Sequence, residues 1–402
     1  MDAGGAEHLH GEEAEDVFVD ESEIAGVVAD DDDENNDDNR GDEANSDGEN
    51  NNNNNNNKED EIVLEDDSVQ GFFAHKESVY SVALHPRDPT LVVSGGGDDR
   101  AYVWRADTGE QVAELDKHAD TVGSVRFSAD GAFVAAGGMD GRVNVYNVQD
   151  RTRCAALEGP DEIQWLDWHP KGPVLLAGAG DASLWMWELP SGRFMNVFSG
   201  HGAAVSCGRF THAGRNIVSG SENGSLIVWD PKTASVVRRF SPDDERFHSE
   251  GITCLDIARD DQVVLTGSMD ATAKLVHVNG TILGSLENAT ESVEAVGLCA
   301  ALPLAATGSV DGSLSIWDLN TMRLRATLRH DDSVTRLLWH ADSPLLTSAS
   351  TDCTVRTWDA RTGDCVRTWK GHQEGIMDFA IAPGASHIVT ASDDGCCLVF
   401  AP

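Results

Sequence analysis

The chain has 402 residues, of which 40% are hydrophobic, and its formal net charge is −40. This length allows a large buried core. The sequence contains no run of about 18 apolar residues, which a transmembrane helix would need. The acidic charge argues against direct binding to nucleic acid or to anionic membranes, because both depend on Lys and Arg. It favours a basic protein or peptide as partner.

The chain begins with an acidic tail. Residues 1–68 contain 26 of the 69 acidic side chains and two of the 29 basic ones, together with eight consecutive asparagines. Such a composition cannot bury enough apolar surface to offset chain entropy. We therefore predict a disordered, Asn-rich tail at 1–61 and a folded domain at 62–402. Apolar residues set among carboxylates at 17–28 indicate either a short docking motif or part of a solubilising tail.

A repeat fills the rest of the chain. Short polar residues recur at intervals of 41 to 47, each is followed six positions later by a large or branched apolar residue, and six units have a histidine 22 or 23 positions upstream. The polar positions are Asp98, Asp140, Asp181, Asn223, Asp270, Asp311, Asp352 and Asp394. The apolar positions are Trp104, Tyr146, Trp187, Trp229, Val276, Trp317, Trp358 and Phe400. This period, with short alternating strands between turns, predicts an all-β, eight-bladed WD-repeat β-propeller.

Within each unit, four columns of residues predict a buried hydrogen-bond set. A histidine before the first strand, a Ser or Thr on the second, the turn aspartate and the tryptophan on the third are spaced so that they meet inside the blade. We interpret these Ser, His and Asp residues as structural and not as catalytic triads. The sets are His75, Ser94, Asp98 and Trp104; His201, Ser219, Asn223 and Trp229; and His330, Ser348, Asp352 and Trp358.

The last unit ends after its third strand, so its fourth strand must come from elsewhere. The segment Val69–Phe73 matches Cys365–Trp369, which precedes the histidine of the last unit. We therefore predict that Val69–Phe73 completes the last blade and closes the ring, which also removes exposed sheet edges.

One loop position predicts a binding surface. Two residues after each histidine, or its equivalent, seven of eight units carry an acidic residue. We expect these carboxylates to circle one face and to attract a Lys- and Arg-rich peptide, with a few apolar side chains as anchors. An acidic residue is also common at this position in WD repeats generally, which is the competing interpretation. The candidate residues are Glu77, Asp120, Asp161, Glu162, Glu222, Glu250, Glu291, Glu294, Asp332, Glu374 and Asp393, with Tyr80, Met139 and Met269 as anchors.

The sequence shows no motif of an enzyme, a metal site or a bound cofactor, because it lacks a phosphate loop, a dinucleotide fingerprint and clustered Cys or His ligands. We therefore expect a non-catalytic, monomeric binding protein without cofactor or metal. Its eight scattered cysteines, without any CxxC pair, and the absence of a secretory signal predict a cytoplasmic protein, with the nucleus as a second location.

Several segments resemble the angio-associated migratory cell protein family. They are VLLAGAGDASLWMWELPSG (Val174–Gly192), SCGRF (Ser206–Phe210), GSMDATAKLV (Gly267–Val276), RTWDARTG (Arg356–Gly363) and IMDFAI (Ile376–Ile381). The fungal relative in this family is a dedicated chaperone that holds the basic N-terminal segment of a large-subunit ribosomal protein on an acidic propeller face. The resemblance therefore implies a role as ribosomal-protein escort in ribosome biogenesis.

Two other functions stay open at this point. Trp358-Asp359-Ala360-Arg361 forms a WDxR sequence of the kind that adaptors of cullin–RING ubiquitin ligases recognise, which predicts a substrate receptor. Animal relatives are linked to cell migration, which is compatible with a signalling scaffold.

Overall fold

A computed structural model describes residues 65–159, 161–341 and 343–401. The tail prediction for 1–61 lies outside these residues. The described chain forms eight antiparallel four-stranded sheets, so the prediction of an eight-bladed propeller is confirmed. Inner strands of successive blades contact one another in a closed order from blade 1 to blade 8 and back to blade 1, so blades 1 and 5 lie opposite each other.

The strands, from the inner to the outer edge of each blade, are as follows. Blade 1 contains Val79–Leu84, Leu91–Gly96, Ala101–Arg105 and Gln111–Glu114; blade 2 contains Val122–Phe127, Phe133–Gly138, Arg142–Asn147 and Arg153–Glu158; blade 3 contains Ile163–Trp168, Val174–Ala179, Ser183–Glu188 and Arg193–Ser199; blade 4 contains Cys207–Phe210, Ile217–Gly220, Leu226–Asp230 and Ser235–Phe240. Blade 5 contains Ile252–Ile257, Val263–Ser268, Thr272–His277 and Thr281–Glu287; blade 6 contains Val293–Leu298, Leu304–Ser309, Ser313–Asp318 and Arg323–Arg329; blade 7 contains Val334–Trp339, Leu345–Ser350, Val355–Asp359 and Asp364–Trp369; blade 8 contains Ile376–Ile381, Ile388–Ser392, Cys397–Phe400 and Ser68–Phe72. A short 3-10 turn, Pro383–Ala385, precedes the second strand of blade 8.

The outer strand of blade 8 comes from the beginning of the described chain. Ser68–Phe72 pairs antiparallel with Cys397–Phe400, and Phe72 lies opposite Cys397. Just before this strand, the backbone N–H of Asp67 donates to the carbonyl of Lys370 at 2.8 Å. The two ends of the propeller therefore share one sheet.

The hydrophobic core lies between the blades. Each of the eight buried clusters combines side chains from two neighbouring sheets. At the junction of blades 8 and 1, Phe72 stacks on Trp104 with 5.0 Å between ring centroids. Because a blade buries its faces only against its neighbours, the ring is stable as a whole and not blade by blade.

Side chains of the inner strands join each blade to the next around the channel. Asp378 in blade 8 accepts the backbone N–H of Val82 in blade 1 at 3.1 Å, and Asp167 in blade 3 accepts that of Phe210 in blade 4 at 2.7 Å. Ion pairs run between Arg209 and Asp256 and between Arg336 and Asp378. Polar residues in the channel therefore hold the inner strands together.

The turn between the second and third strands repeats in all eight blades. The residue after the turn aspartate or asparagine has a φ between +61° and +77° in every blade. Glycine occupies this position in blades 2, 4, 6 and 8, as a left-handed backbone favours. The other four blades hold the same conformation with Asp99, Ala182, Ala271 and Cys353.

Candidate protein-binding face

Two sets of loops build one face of the ring, which we call the top face. The first set connects the outer strand of one blade to the inner strand of the next, and the second set contains the turns with the aspartates. In every blade the residue before the turn aspartate donates its backbone N–H to a carbonyl in the connecting loop, at 2.8 to 3.0 Å. The donors are Gly97, Met139, Gly180, Glu222, Met269, Val310, Thr351 and Asp393. The acceptor is the residue that follows the acidic loop position, so the repeat holds the two sets together.

The structure brings the eleven acidic candidates onto this face. All are exposed except Glu294, which is half-buried at the start of the inner strand of blade 6. Blade 4 has Ala203 at the acidic loop position, but Glu222 supplies a carboxylate from the neighbouring turn. None of the eleven forms an ion pair with a residue of the described chain. Their charge is therefore available to a partner.

The carboxylates differ in how firmly they are held. Asp120, Asp161 and Asp332 each accept the backbone N–H of the next residue at 2.7 to 2.9 Å. Glu294 accepts the Ser292 hydroxyl, and Asp393 accepts the Ser78 hydroxyl across the junction of blades 8 and 1. The other six have no hydrogen bond from the side chain within the described chain; they are Glu77, Glu162, Glu222, Glu250, Glu291 and Glu374.

The apolar candidates are exposed on the same face. Tyr80 is 42% exposed, Met139 41% and Met269 51%. Sequence reasoning missed Val310, which is 37% exposed and occupies the same turn position in blade 6 that Met139 and Met269 occupy in blades 2 and 5. The signal was present in the sequence, because Val310 also stands directly before a turn aspartate.

Exposed large apolar side chains occur in two places in the described chain. Four lie on the top face, and the other eight lie on or next to the outer strands of the blades: Val69, Phe73, Phe194, Val236, Val237, Leu283, Leu324 and Val366. The turns on the opposite face contribute none. Of the two faces of the described ring, the top face therefore combines exposed apolar side chains with free carboxylates.

Beneath the top face lie the buried hydrogen-bond sets. In blade 7, His330 Nε2 is 2.7 Å from Ser348 Oγ, its Nδ1 is 2.9 Å from Asp352, and Trp358 donates to Ser348 at 2.9 Å. Blade 1 repeats this with His75, Ser94, Asp98 and Trp104, at distances of 2.9 to 3.2 Å.

The set in blade 4 is routed differently. His201 Nε2 contacts Ser219, and Ser219 also accepts the Trp229 indole N–H. His201 Nδ1, however, lies 2.7 Å from Ser225 Oγ and does not contact Asn223 directly. Ser225 in turn donates to Asn223. The sequence prediction of a direct contact between His201 and Asn223 is therefore wrong. The hydroxyl two residues further along is the link, and blade 4 therefore holds its histidine without a carboxylate.

This difference changes the proton affinities. Burial acts to raise the pKa of Asp352, but hydrogen bonds from His330 and Thr354 outweigh it and hold that pKa far below its usual value. In blade 4, burial together with the nearby Arg239 lowers the pKa of His201 to about 3. His201 is thus neutral at physiological pH.

The serines of these sets cannot act as nucleophiles in the folded protein. Ser94, Ser219 and Ser348 are fully buried, and each accepts the indole N–H of a buried tryptophan. Within the residues that the structure describes, no group of His, Cys, Asp and Glu could hold a metal ion, and no helix is long and apolar enough to cross a membrane.

The WDxR sequence lies away from the top face. Arg361 sits in the turn between the third and fourth strands of blade 7, and its guanidinium donates to Asp359 at 2.6 and 3.0 Å. Its side chain is 60% exposed. The proposed adaptor contact and the carboxylate face would therefore use different surfaces.

The chain is similar to several known proteins. Residues 151–400 match the family described as Nucleolar protein 10-like, N-terminal domain, and residues 67–105 and 109–147 match the WD domain, G-beta repeat. The human angio-associated migratory cell protein is 36% identical over 351 residues, which cover 83% of this chain and 80% of that protein. A WD repeat-containing protein of Schizosaccharomyces pombe is 40% identical over 345 residues, covering 83% and 86%.

A solved structure shares the architecture. The crystal structure of Chaetomium thermophilum Sqt1 bound to the N-terminus of the ribosomal protein L10 superposes with a TM-score of 0.79 and 29% identity, covering 84% of this chain and 100% of that chain. That propeller therefore binds the N-terminus of a ribosomal protein.

Proposed function

Because the chain belongs to the angio-associated migratory cell protein family of WD-repeat β-propellers, we propose that it is a non-catalytic escort for a basic large-subunit ribosomal protein. It holds a basic segment of this client on the top face until the client joins the assembling subunit. The observation that carries the proposal is the ring of exposed carboxylates without ion-pair partners in the described chain. The likeness to an L10-bound propeller supplies the client class.

Physical chemistry explains why such a face suits a basic client. A ribosomal protein must neutralise RNA phosphates, so outside the ribosome its Lys and Arg side chains lack partners. Free carboxylates on one face attract such a chain and raise the rate of encounter. The exposed apolar side chains among them, such as Met269 and Val310, then prolong the complex, because desolvated contacts set the residence time. The escort acts as a monomer in the cytoplasm, where the client is made, and in the nucleus.

The test compares two charge reversals of equal size. Glu291→Lys with Glu374→Lys changes the top face, and Glu110→Lys with Asp364→Lys changes exposed carboxylates at the opposite side of the propeller. The probe is a synthetic peptide with the N-terminal sequence of ribosomal protein L10, titrated by calorimetry at low and high salt.

We expect the top-face pair to weaken binding by roughly 10- to 100-fold, because each reversal replaces an attraction by a repulsion. The control pair should change the affinity less than about threefold, since it lies away from the site. Equal losses in both variants, or wild-type binding by the top-face variant, would show that the top face does not hold the client.

A second hypothesis is a substrate receptor for a cullin–RING ubiquitin ligase. The exposed Arg361, on a different surface from the carboxylates, is the observation that favours it. Arg361→Ala should abolish capture of the ligase adaptor while leaving peptide binding unchanged. An unaltered adaptor complex would remove this hypothesis.

A further inference from the structure

The inner positions of the top face differ from blade to blade in a way that specifies how a client segment lies. We propose, on the basis of the function proposed above, that the segment crosses the mouth of the ring. It places a cationic side chain beside Tyr80 in blade 1 and an apolar side chain on Met269 and Val310 in blades 5 and 6.

Blade 1 carries an open notch between a carboxylate and an aromatic ring. The position that holds Met139 in blade 2 and Met269 in blade 5 is Gly97 in blade 1. A Cβ atom added there would lie 3.2 Å from Glu77 Oε2 and 3.5 Å from Tyr80 Cε2. A cation seated over Gly97 would therefore meet both the Glu77 carboxylate and the Tyr80 ring.

Both walls of this notch are free to bind. Tyr80 is 42% exposed, and the Glu77 carboxylate has no hydrogen bond or ion pair within the described chain. An aromatic ring attracts a cation through its quadrupole, and a carboxylate attracts it by charge, so the two act on the same ligand group. The notch fits the guanidinium or ammonium group of a client side chain.

Blade 3 provides an internal comparison. Its equivalent glycine is Gly180, where an added Cβ would lie 3.5 Å from Asp161 Oδ2 and 3.8 Å from the Glu162 Cβ. The inner strand of blade 3, however, has Gln164 where blade 1 has Tyr80. Blade 3 thus offers acidic groups without a ring, and we assign it no specific side chain of the client.

On the opposite side of the ring, two neighbouring blades carry exposed apolar side chains. Met269 and Val310 occupy the same turn position in the neighbouring blades 5 and 6 and are 51% and 37% exposed. Glu250 and Glu291 flank them in the adjoining loops. An apolar side chain of a basic segment would bury its surface here while its cationic neighbours stay near carboxylates.

The positions of these two sites in the ring decide the path of the client segment. Blade 1 and blade 5 are four blades apart in a closed ring of eight, so they face each other across the channel. The equivalent positions along the rim do not link the two sites: Gly180 and Glu222 on one side, and Thr351 and Asp393 on the other, are polar or lack a side chain, and Met139 is apolar but adjoins the notch. A single extended segment that uses both anchors therefore spans the mouth and does not follow the rim.

The test fills the notch with a side chain that the repeat already accepts. Gly97→Met introduces the residue found at this position in blades 2 and 5, and the backbone at Gly97 is not left-handed, so the substitution requires only a small shift of the Glu77 side chain. Gly180→Met is the matched control in blade 3. Met269→Ser with Val310→Ser removes the apolar patch. The full chain is titrated with the L10 N-terminal peptide and with its two halves.

We expect Gly97→Met to lower the affinity for the whole peptide about fivefold or more. The double serine variant should lower this affinity about tenfold, and Gly180→Met should change it less than about twofold. Each half-peptide should respond to one of the two sites and ignore the other. Equal effects of Gly97→Met and Gly180→Met, or a half-peptide that responds to both sites, would overturn this pose. Tyr80→Phe should bind like wild type, while Tyr80→Leu should match the filled notch.

These outcomes separate the pose from the function. If the top-face charge reversal still abolishes binding while the notch and patch variants do not, only the pose is wrong. If the charge reversal has no effect, the proposed function fails together with the pose.

Discussion

The interior between the blades and the exposed surface of the ring use the same residue types for opposite purposes, often in adjacent positions. Asp394 is largely buried against His372 at 2.8 Å, whereas Asp393 is exposed on the top face. Phe72 is buried between blades 8 and 1, whereas Phe73 is 67% exposed. Residue type alone therefore does not assign a role. The position within the repeat does, because it decides which side chains meet neighbours that satisfy them.

The largest expected effect concerns the closing strand. Phe72→Ala should lower the free energy of unfolding by about 4 kcal/mol, because it removes a ring that is 3% exposed and stacked on Trp104. Phe73→Ala should change it by less than about 0.5 kcal/mol. Urea unfolding of both variants measures the difference, and a similar loss in both would contradict the distinction between the two positions.

The next effect concerns the buried carboxylates. Asp352 accepts hydrogen bonds from His330, Thr354 and Arg356 and is 5% exposed. Asp352→Asn should cost about 3 kcal/mol, since it leaves charged and polar donors without an ionised acceptor. Asp332→Asn, on the top face of the same blade, should cost less than about 0.5 kcal/mol. Chemical denaturation checks both, and a stable Asp352→Asn variant would disprove the structural role.

A third prediction uses the two kinds of histidine set. His201 has a pKa of about 3 in the folded chain and an ordinary value of 6.5. Between pH 6.5 and 3 the unfolded chain therefore binds a proton that the folded chain excludes, and stability falls as the pH falls. At pH 5 the loss from this group is about 2 kcal/mol.

Asn223→Asp would sharpen this comparison. It gives blade 4 the turn carboxylate that blade 7 has, so it should reduce the loss of stability between pH 7 and pH 5 by about the same 2 kcal/mol. Unfolding curves at several pH values measure it. A variant whose stability declines with acid as steeply as that of the wild type would show that His201 is not the cause.

The smallest expected effect lies on the top face itself. Glu291→Gln with Glu374→Gln should leave the free energy of unfolding within about 0.5 kcal/mol of the wild type, with any change stabilising, because it removes like-charge repulsion. Thermal unfolding at low salt detects it. A clear destabilisation would mean that these carboxylates support the fold.

The sequence predicts the parts of this molecule that repeat in register. The turn aspartates and the tryptophans recur at nearly constant spacing, and this periodicity specifies eight four-stranded blades because every blade needs the same buried set. The acidic loop position follows by the same logic, since equivalent positions of a closed ring lie on one face.

Features that depend on a neighbour in space could not be predicted. Whether a carboxylate is free or paired depends on where arginines of other blades reach, as Arg209 reaches Asp256. The link from His201 to Ser225 depends on rotamers within one turn. The notch at Gly97 depends on how Tyr80 leans from the adjacent strand. Val310 is a different case, because its position directly before the turn residue Asp311 is visible in the sequence.

Pairing of Ser68–Phe72 with Cys397–Phe400 has a consequence for the order of assembly during translation. Ser68–Phe72 is synthesised long before Cys397–Phe400, so it lacks its pairing partner while the other blades are made. Until the C-terminal residues leave the ribosome, blades 8 and 1 cannot meet, and the hydroxyl of Ser78 has no access to Asp393. We therefore expect a chain that lacks Cys397–Phe400 to leave the junction of blades 8 and 1, and the part of the top face that lies there, incomplete.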